Sequence, residues 1–328
     1  MLQTRSRRWG SLLALSLLAG GGEPAPGFDG ERAYRDLADL VRIGPRPAGS
    51  AGAAAAREMI GERLRQAGWR VDDHPLRVET GGRGIDMKNL IGVMPGERPG
   101  LILVGTHYDT KRLPGFVGAN DGASGVAVLL ELARTLGDAP RPYTVWLVFF
   151  DGEEALGAGI TENDGLFGSR ALAAQMQREG DLEKIRGFLL VDMVGDRDLG
   201  LTEDVNSTPA LRQALAEEAE RLGLEGVLGG GSVALIDDHT PFQRLGVEPV
   251  LALIDFRFGG GGESMPGPLW HTPGDDLSAV SAASLNSVGG LLVELLRRVE
   301  REAIARERPA LPLSGGRGGT REGAEGAR

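Results

Sequence analysis

The chain holds four histidines, and three of them, His107, His239 and His271, stand among carboxylates. In Thr106-His107-Tyr108-Asp109 an imidazole could bind a metal while the acid two residues on orients the ring through its other nitrogen. Alone, that pair also reads as a loop histidine bonded to backbone. Asp121 lies in Gly118-Ala119-Asn120-Asp121-Gly122-Ala123-Ser124-Gly125, whose glycines let backbone approach closely, as a metal-reaching carboxylate requires. It could equally cap the helix that follows. Asp151-Gly152-Glu153-Glu154 sets two glutamates side by side, so one could hold a metal while the other faces the reacting group; a solvated acidic turn is the plain alternative. Asp192 ends an apolar run, where a carboxylate without a partner is costly to bury. Ile236-Asp237-Asp238-His239-Thr240-Pro241-Phe242 and Trp270-His271-Thr272-Pro273-Gly274-Asp275-Asp276 complete the set, while His74 sits in a strand-like run and reads as structural. With no cysteine in the chain, a metal can be held only by His, Asp or Glu, and a zinc site is the economical reading.

The elements that must position these groups follow from apolar periodicity. Helices are expected over 31–43 and 51–66, the second capped by Ser50 and stopped by Gly68, and strands around 69–79 and 89–94. The runs 101–105, 143–150 and 187–191 are short, apolar and rich in Val, Leu and Phe, as expected of strands buried on both faces of a sheet. Each is followed at once by an acid or a histidine, so the polar groups should gather at the strands' carboxyl ends, where open α/β sheets bind ligands. Further helices are expected after Asp121, ending near Leu136, and from near Ser278, with a helical turn after His239.

A formal net charge of −10 argues against nucleic-acid binding, which needs clustered Lys and Arg. Residues 1–22 read as an export signal: Arg5, Arg7 and Arg8 precede an apolar stretch over 9–19 that is too short to span a bilayer, and no cysteine follows Leu18-Ala19-Gly20 to carry a lipid anchor. A secreted or periplasmic protein is expected, a monomer without stable membrane association once the signal is cleaved; an uncleaved anchoring helix is the alternative. Residues 23–30 read as a Pro/Gly linker, 31–305 as a single zinc-dependent α/β catalytic domain, and 306–328 as a disordered tail.

The order Thr106-His107-Tyr108-Asp109-Thr110-Lys111, the Gly118 to Gly125 segment, Asp151-Gly152-Glu153-Glu154, Asp192, Asp237 to Phe242 and Trp270-His271-Thr272 resembles the zinc exopeptidase superfamily of bacterial aminopeptidases and glutaminyl-peptide cyclotransferases. The likeness runs from about Tyr34 to Leu296 and begins with Ile43-Gly44-Pro45-Arg46-Pro47-Ala48-Gly49-Ser50. Trp270-His271-Thr272, Asp237 to Phe242 and Leu166-Phe167-Gly168-Ser169-Arg170-Ala171-Leu172 look most like the cyclotransferase branch. In two places the chain departs from the animal enzymes: Gly159 stands where they carry a Trp and Ala252 where they carry a His, and the glycine-rich segment 258–268 looks like a rim loop of its own.

The resemblance implies a three-layer αβα fold with a central mixed, mostly parallel twisted sheet flanked by helices. It implies one zinc held by Asp121, Glu154 and His271, with Glu153 as proton carrier and Asp192 with Asp237 as an acidic pair near the leaving group. Trp270, Asp238 and His239 are the expected substrate contacts, and peptide or protein N-termini the expected substrates. The activity implied is cyclisation of an N-terminal Gln to pyroglutamate with release of ammonia. The alternative is a two-zinc aminopeptidase, with His107 and Asp192 completing a second site that Asp121 bridges. A second alternative is an inactive member of the fold that only binds peptides.

Overall fold

A computed structural model describes residues 27–307 except 138 and 261–263. The expected signal, the first half of the linker and the expected tail past residue 307 lie outside the described residues. After α1 (Gly30–Ile43) and α2 (Ala51–Gln66) come β1 (Arg70–Thr80), β2 (Arg83–Met94) and β3 (Arg98–His107). Then follow α3 (Ala123–Leu136), β4 (Tyr143–Phe150), α4 (Phe167–Glu179), β5 (Ile185–Asp192) and β6 (Leu201–Asp204). The chain continues through α5 (Pro209–Leu222), β7 (Leu228–Val233), α6 (Thr240–Arg244), β8 (Val250–Ile254) and α7 (Ala282–Glu307).

Six strands form one sheet in the order β1-β2-β4-β3-β5-β8. The β4-β3-β5-β8 part is parallel, and β2 and β1 add antiparallel strands at one edge. The sheet is therefore mixed and mostly parallel, and β6 pairs with β7 in a separate parallel pair. Side chains alternate across the pleat: Ile102 and Val104 of β3 pack with α1, α2, α3, α5 and α7, whereas Leu101 and Leu103 pack with α4 and α6 on the other face. Both faces are covered, which is why the central strands are apolar throughout. Burying each such side chain fully stabilises by roughly 1.5–3 kcal/mol.

The chain leaves β3 toward β4 through α3 on one face, then returns past β3 to β5 through α4 on the other. That reversal opens a crevice beyond the carboxyl ends of β3 and β5, the switch point at which such sheets bind ligands. The strand β2 starts at Arg83, six residues ahead of the sequence expectation, because a two-residue Gly81-Gly82 turn with both φ values positive closes a hairpin that carries the polar stretch 83–88 into register with β1. The last helix begins at Ala282 rather than near Ser278. Asp276 accepts hydrogen bonds from both the N–H and the hydroxyl of Ser278, which holds a turn there, and Ser281 supplies the cap by accepting from the Ser284 N–H. Ser50 caps α2 as expected, its side chain accepting from the Ala53 N–H.

Close approach of α3 to the sheet requires Gly125, where an added Cβ would meet Thr106 Oγ1 at 2.1 Å and the Val191 carbonyl oxygen at 2.6 Å. Replacing Gly125 with Ala should destabilise by about 1–3 kcal/mol, read as a lowered denaturant midpoint. The same replacement at Gly226, where nothing lies within 4 Å, should stay within about 0.5 kcal/mol.

Candidate metal centre

His107 is the last residue of β3, Asp192 the last of β5, and Glu153 and Glu154 leave β4 through Gly152, whose φ is +68°. Asp121 does not cap α3: the cap position is Gly122, no side chain bonds the first turn, and the Asp121 carboxylate turns to two imidazoles instead. Gly122 has φ +92°, and a Cβ there would lie 2.7 Å from the Asp109 carbonyl oxygen. Only glycine lets the chain deliver Asp121 at that point.

Two trios of metal-ligand type meet at Asp121, each with its donor atoms within 4.8 Å of one another. In the first, His271 Nε2 lies 3.0 Å from Glu154 Oε1 and 3.4 Å from Asp121 Oδ2. In the second, His107 Nε2 lies 3.1 Å from Asp192 Oδ1 and 3.3 Å from Asp121 Oδ1. Asp192 thus has the partner that its buried strand end demands. All of Asp121, Glu154, Asp192 and His107 are buried, and His271 is half-buried beneath Trp270, whose ring stacks on it at 3.6 Å.

The paired glutamates are not a solvated turn, since both are buried. Their backbone is fixed by Asp109, which accepts from the N–H groups of Glu153 at 3.1 Å and Glu154 at 3.4 Å. Asp109 also stands 3.6 Å from His107 Nδ1, so it faces the ring nitrogen turned away from the trio without a close hydrogen bond. Asp151 is structural: it accepts from Arg57 at 3.0 Å and from the Lys88 N–H at 2.9 Å. His74 is likewise structural, with Nδ1 3.0 Å from the Asn89 side-chain nitrogen.

The Glu153 carboxylate joins neither trio and opens on a cavity of about 250 Å³ shared with Asp121, Glu154, Asp192, Asp237, Trp270 and His271. Burial, with Glu154, Asp237 and Asp238 adding to it against the pull of His107, pushes Glu153 well above the usual carboxylate range. Burial and the Asp192 charge push Asp237 up to about 6. Asp121 moves the other way: its burial is overcome by the neighbouring His107 and His271 imidazoles, which hold it below the ordinary value. Asp238 and His239, expected substrate contacts, are completely buried and do not line the cavity; His239 Nε2 lies 3.3 Å from Asp204 Oδ2 instead. Trp270 does line it.

The donor set fits a divalent cation. Asp121 Oδ2 is buried without a well-formed hydrogen bond, and five carboxylates converge on a cavity whose other charged lining residues are Lys111 and His271. Buried charges of one sign persist when paired or when they coordinate a metal. Nitrogen and oxygen donors without sulfur suit zinc.

The model of peptidase family M28 matches residues 89–296, the span from β2 to α7 that holds every one of these groups. The chain belongs to that family. Among its relatives the glutaminyl-peptide cyclotransferase-like protein of Mus musculus is 32% identical over 76% of this chain and 71% of its own. The glutaminyl cyclase of an Acidobacteriales bacterium superposes with a TM-score of 0.79 at 36% identity, covering 92% of this chain and 100% of that one. A Zn-dependent exopeptidase from Parabacteroides distasonis, 22% identical with a TM-score of 0.73 over 83% of this chain and 99% of its own, shares the fold.

The M28 site also uses residues to which sequence reasoning gave no role. Asp275 accepts from the Asn120 N–H at 2.6 Å and the Asp121 N–H at 3.0 Å, and its carbonyl accepts from Ala119 at 3.3 Å, which ties the Asp121 loop to the His271 loop. Burial and the neighbouring Asp121 push Asp275 up to about 7 against the pull of those N–H groups. Arg46 is fully buried and donates to the carbonyls of Tyr108, Gly44, Val117 and Gly118, fastening the other side of the same loop. Lys111 Nζ donates to the Ala155 carbonyl at 2.7 Å and lies 3.6 Å from Glu154 Oε2. The one available signal was adjacency: Arg46, Lys111 and Asp275 each sit inside a motif string, but no spacing rule assigns a hydrogen-bond partner 155 residues away.

His271→Ala should leave a folded protein with strongly reduced zinc content by elemental analysis. Asp275→Asn keeps one acceptor and loses the other; competition against a chelator should show zinc held about 10–100-fold more weakly, the usual cost of disturbing a group that orients a ligand.

Proposed function

We propose that the protein is a glutaminyl-peptide cyclotransferase that converts an N-terminal Gln to pyroglutamate and releases ammonia. What carries the reading is the placement of Glu153, outside both trios yet open to the cavity that Asp121, Glu154 and His271 line, in a chain whose relatives are named for this activity. At about 250 Å³ the cavity falls below the roughly 300–1,000 Å³ of sites for drug-sized ligands and suits one terminal residue.

In this reading Asp121, Glu154 and His271 hold one zinc ion. A zinc bound there supplies Lewis-acid polarisation of the side-chain amide carbonyl. Apolar walls from Met193, Leu235, Ile254, Phe256 and Trp270 fold the Gln side chain back so that the α-amine nitrogen meets its own amide carbon. Holding both in one near-attack geometry removes much of the entropic cost of ring closure. The Glu153 carboxylate takes a proton from the attacking nitrogen and returns it to the departing one, so the N–C bond forms as the C–NH₂ bond breaks and ammonia leaves. Asp192 and Asp237, side by side on the wall, handle protons near that leaving group.

The second trio, His107, Asp121 and Asp192, favours one other reading: a two-zinc aminopeptidase in which Glu153 deprotonates the water that attacks the first peptide bond. Residues 31–305 would form the single catalytic domain in either case, acting as a monomer on peptide or protein N-termini. An extracytoplasmic place of action goes with it, supported by the arginines and apolar stretch of residues 1–22. Among the described residues no helix is long and apolar enough to cross a membrane.

Incubation with a Gln-initiated peptide, followed by mass, separates the two: loss of ammonia is expected, and loss of the first residue would make the enzyme an aminopeptidase. Glu153→Gln should lower kcat by roughly 10²–10⁴-fold while zinc stays bound. Normal turnover in that variant would exclude Glu153 as the proton carrier. Chelation should abolish turnover and added zinc restore it, with about one zinc per chain at full activity.

A further inference from the structure

The catalytic cavity has a neighbour. A cleft of about 340 Å³ lies beside it, and Ile160 and Ile236 line both spaces, so the two isoleucines form a sill between them. Ile236 is 53% exposed and presents an apolar surface on that sill. Beyond the sill the lining changes character: Thr161, Glu162, Arg170 and Arg244 replace the carboxylate-rich wall.

Arg170 stands in the first turn of α4 and Arg244 ends α6, and these two helices pack together, which brings the guanidinium groups to one cleft. Arg170 is steered by the carbonyl oxygens of Thr161 and Glu162, to which its terminal nitrogens donate. Burial and the charge of Arg244 both disfavour the protonated form of Arg170, so the two cations stand within mutual repulsion. Three carboxylates offset it only weakly. Asp164 is occupied by the N–H groups of Leu156 and Gly157, Asp238 is sealed in the interior, and Glu162 is exposed. Among the described residues neither arginine has a carboxylate partner within 4 Å, although Arg residues elsewhere on this chain commonly do.

We infer that Arg170 and Arg244 form a subsite for an acidic side chain on the second or third residue of the substrate peptide. The inference rests on the cyclotransferase reading and adds the class of peptide it acts on. A substrate enters with its cationic N-terminus toward the acidic cavity, and the residues that follow leave over the isoleucine sill. An extended chain advances about 3.3 Å per residue, so the second or third side chain falls over the arginines. A peptide that is positive at its tip and negative just behind it matches both charge signs at once. Complementary pairing of this kind at a partly solvated rim governs encounter and selectivity more than tight binding, and salt screens it.

The test is kcat/KM on Gln-initiated peptides carrying Glu, Ala or Lys at the second or third position, at low and high ionic strength. Glu should exceed Lys by about 5–10-fold at one of the two positions at low salt, with the ratio shrinking as salt rises. Arg244→Ala should bring the ratio toward one, and Arg244→Glu should invert it. Turnover of Gln peptides with no charge preference, or a preference that survives in Arg244→Glu, overturns the subsite and leaves the cyclotransferase reading standing. Failure to turn over any Gln-initiated peptide overturns that reading, and the subsite with it.

Discussion

Asp121 is the point on which the molecule converges. Its two carboxylate oxygens face different histidines, His271 on one side and His107 on the other, and each histidine brings a further acid, Glu154 or Asp192. Taking several carboxylates out of water is expensive, and two imidazoles and a lysine do not balance them. A bound cation offsets that cost, and its absence would leave like charges crowded in a low-dielectric cavity. The acids therefore make sense as a group and not one at a time.

Holding such a group together demands a stiff frame. Asp109 fixes the backbone of the paired glutamates, Asp275 fixes the backbone of Asp121, and buried Arg46 grips the carbonyls of Tyr108 and Gly118 that lead into that loop. Backbone strain collects at the same place. Three non-glycine residues have positive φ among the described residues, and all border the site: His271 at +54°, Met193 directly after Asp192 at +45°, and Leu166, which donates to the Glu153 carbonyl, at +53°. Conformations of this kind cost about 1–3 kcal/mol each and persist only where the surroundings over-determine them. Here the surroundings are a sheet covered on both faces and loops pinned by buried hydrogen bonds.

The carboxylate-rich cavity and the arginine-lined cleft beside it give the rim two opposite charges across a pair of isoleucines. Such a pattern orients a dipolar ligand before any chemistry occurs, because each end is attracted to one side and repelled by the other. In the proposed reading, Glu153 and the residues that would hold zinc act on the first residue alone, and discrimination among peptides that share that residue would fall to side chains farther out along the rim.

Much of the plan was legible locally. Buried strands announce themselves as short apolar runs, and the acids and histidines that end them fall at the sheet's carboxyl edge because strand direction is shared in a parallel sheet. The boundaries of α2 and β4 follow from a cap and from uninterrupted apolar sequence, and the motif order names the residues of metal-ligand type that gather at Asp121. Local sequence did not disclose the early start of β2, which depends on a hairpin register, or the late start of α7, which depends on a serine and an aspartate competing with the helix for backbone groups. Nor could it say that Asp121 leaves its helix uncapped, that His239 turns to Asp204, or that Asp275 reaches Asn120 and Asp121 across the chain. Residue type and spacing determine which groups can bind a cation or move a proton. Which of them meet, and which are buried behind the others, is decided only when strand order brings distant ends of the chain within a few ångströms, because those distances depend on packing and not on separation along the sequence.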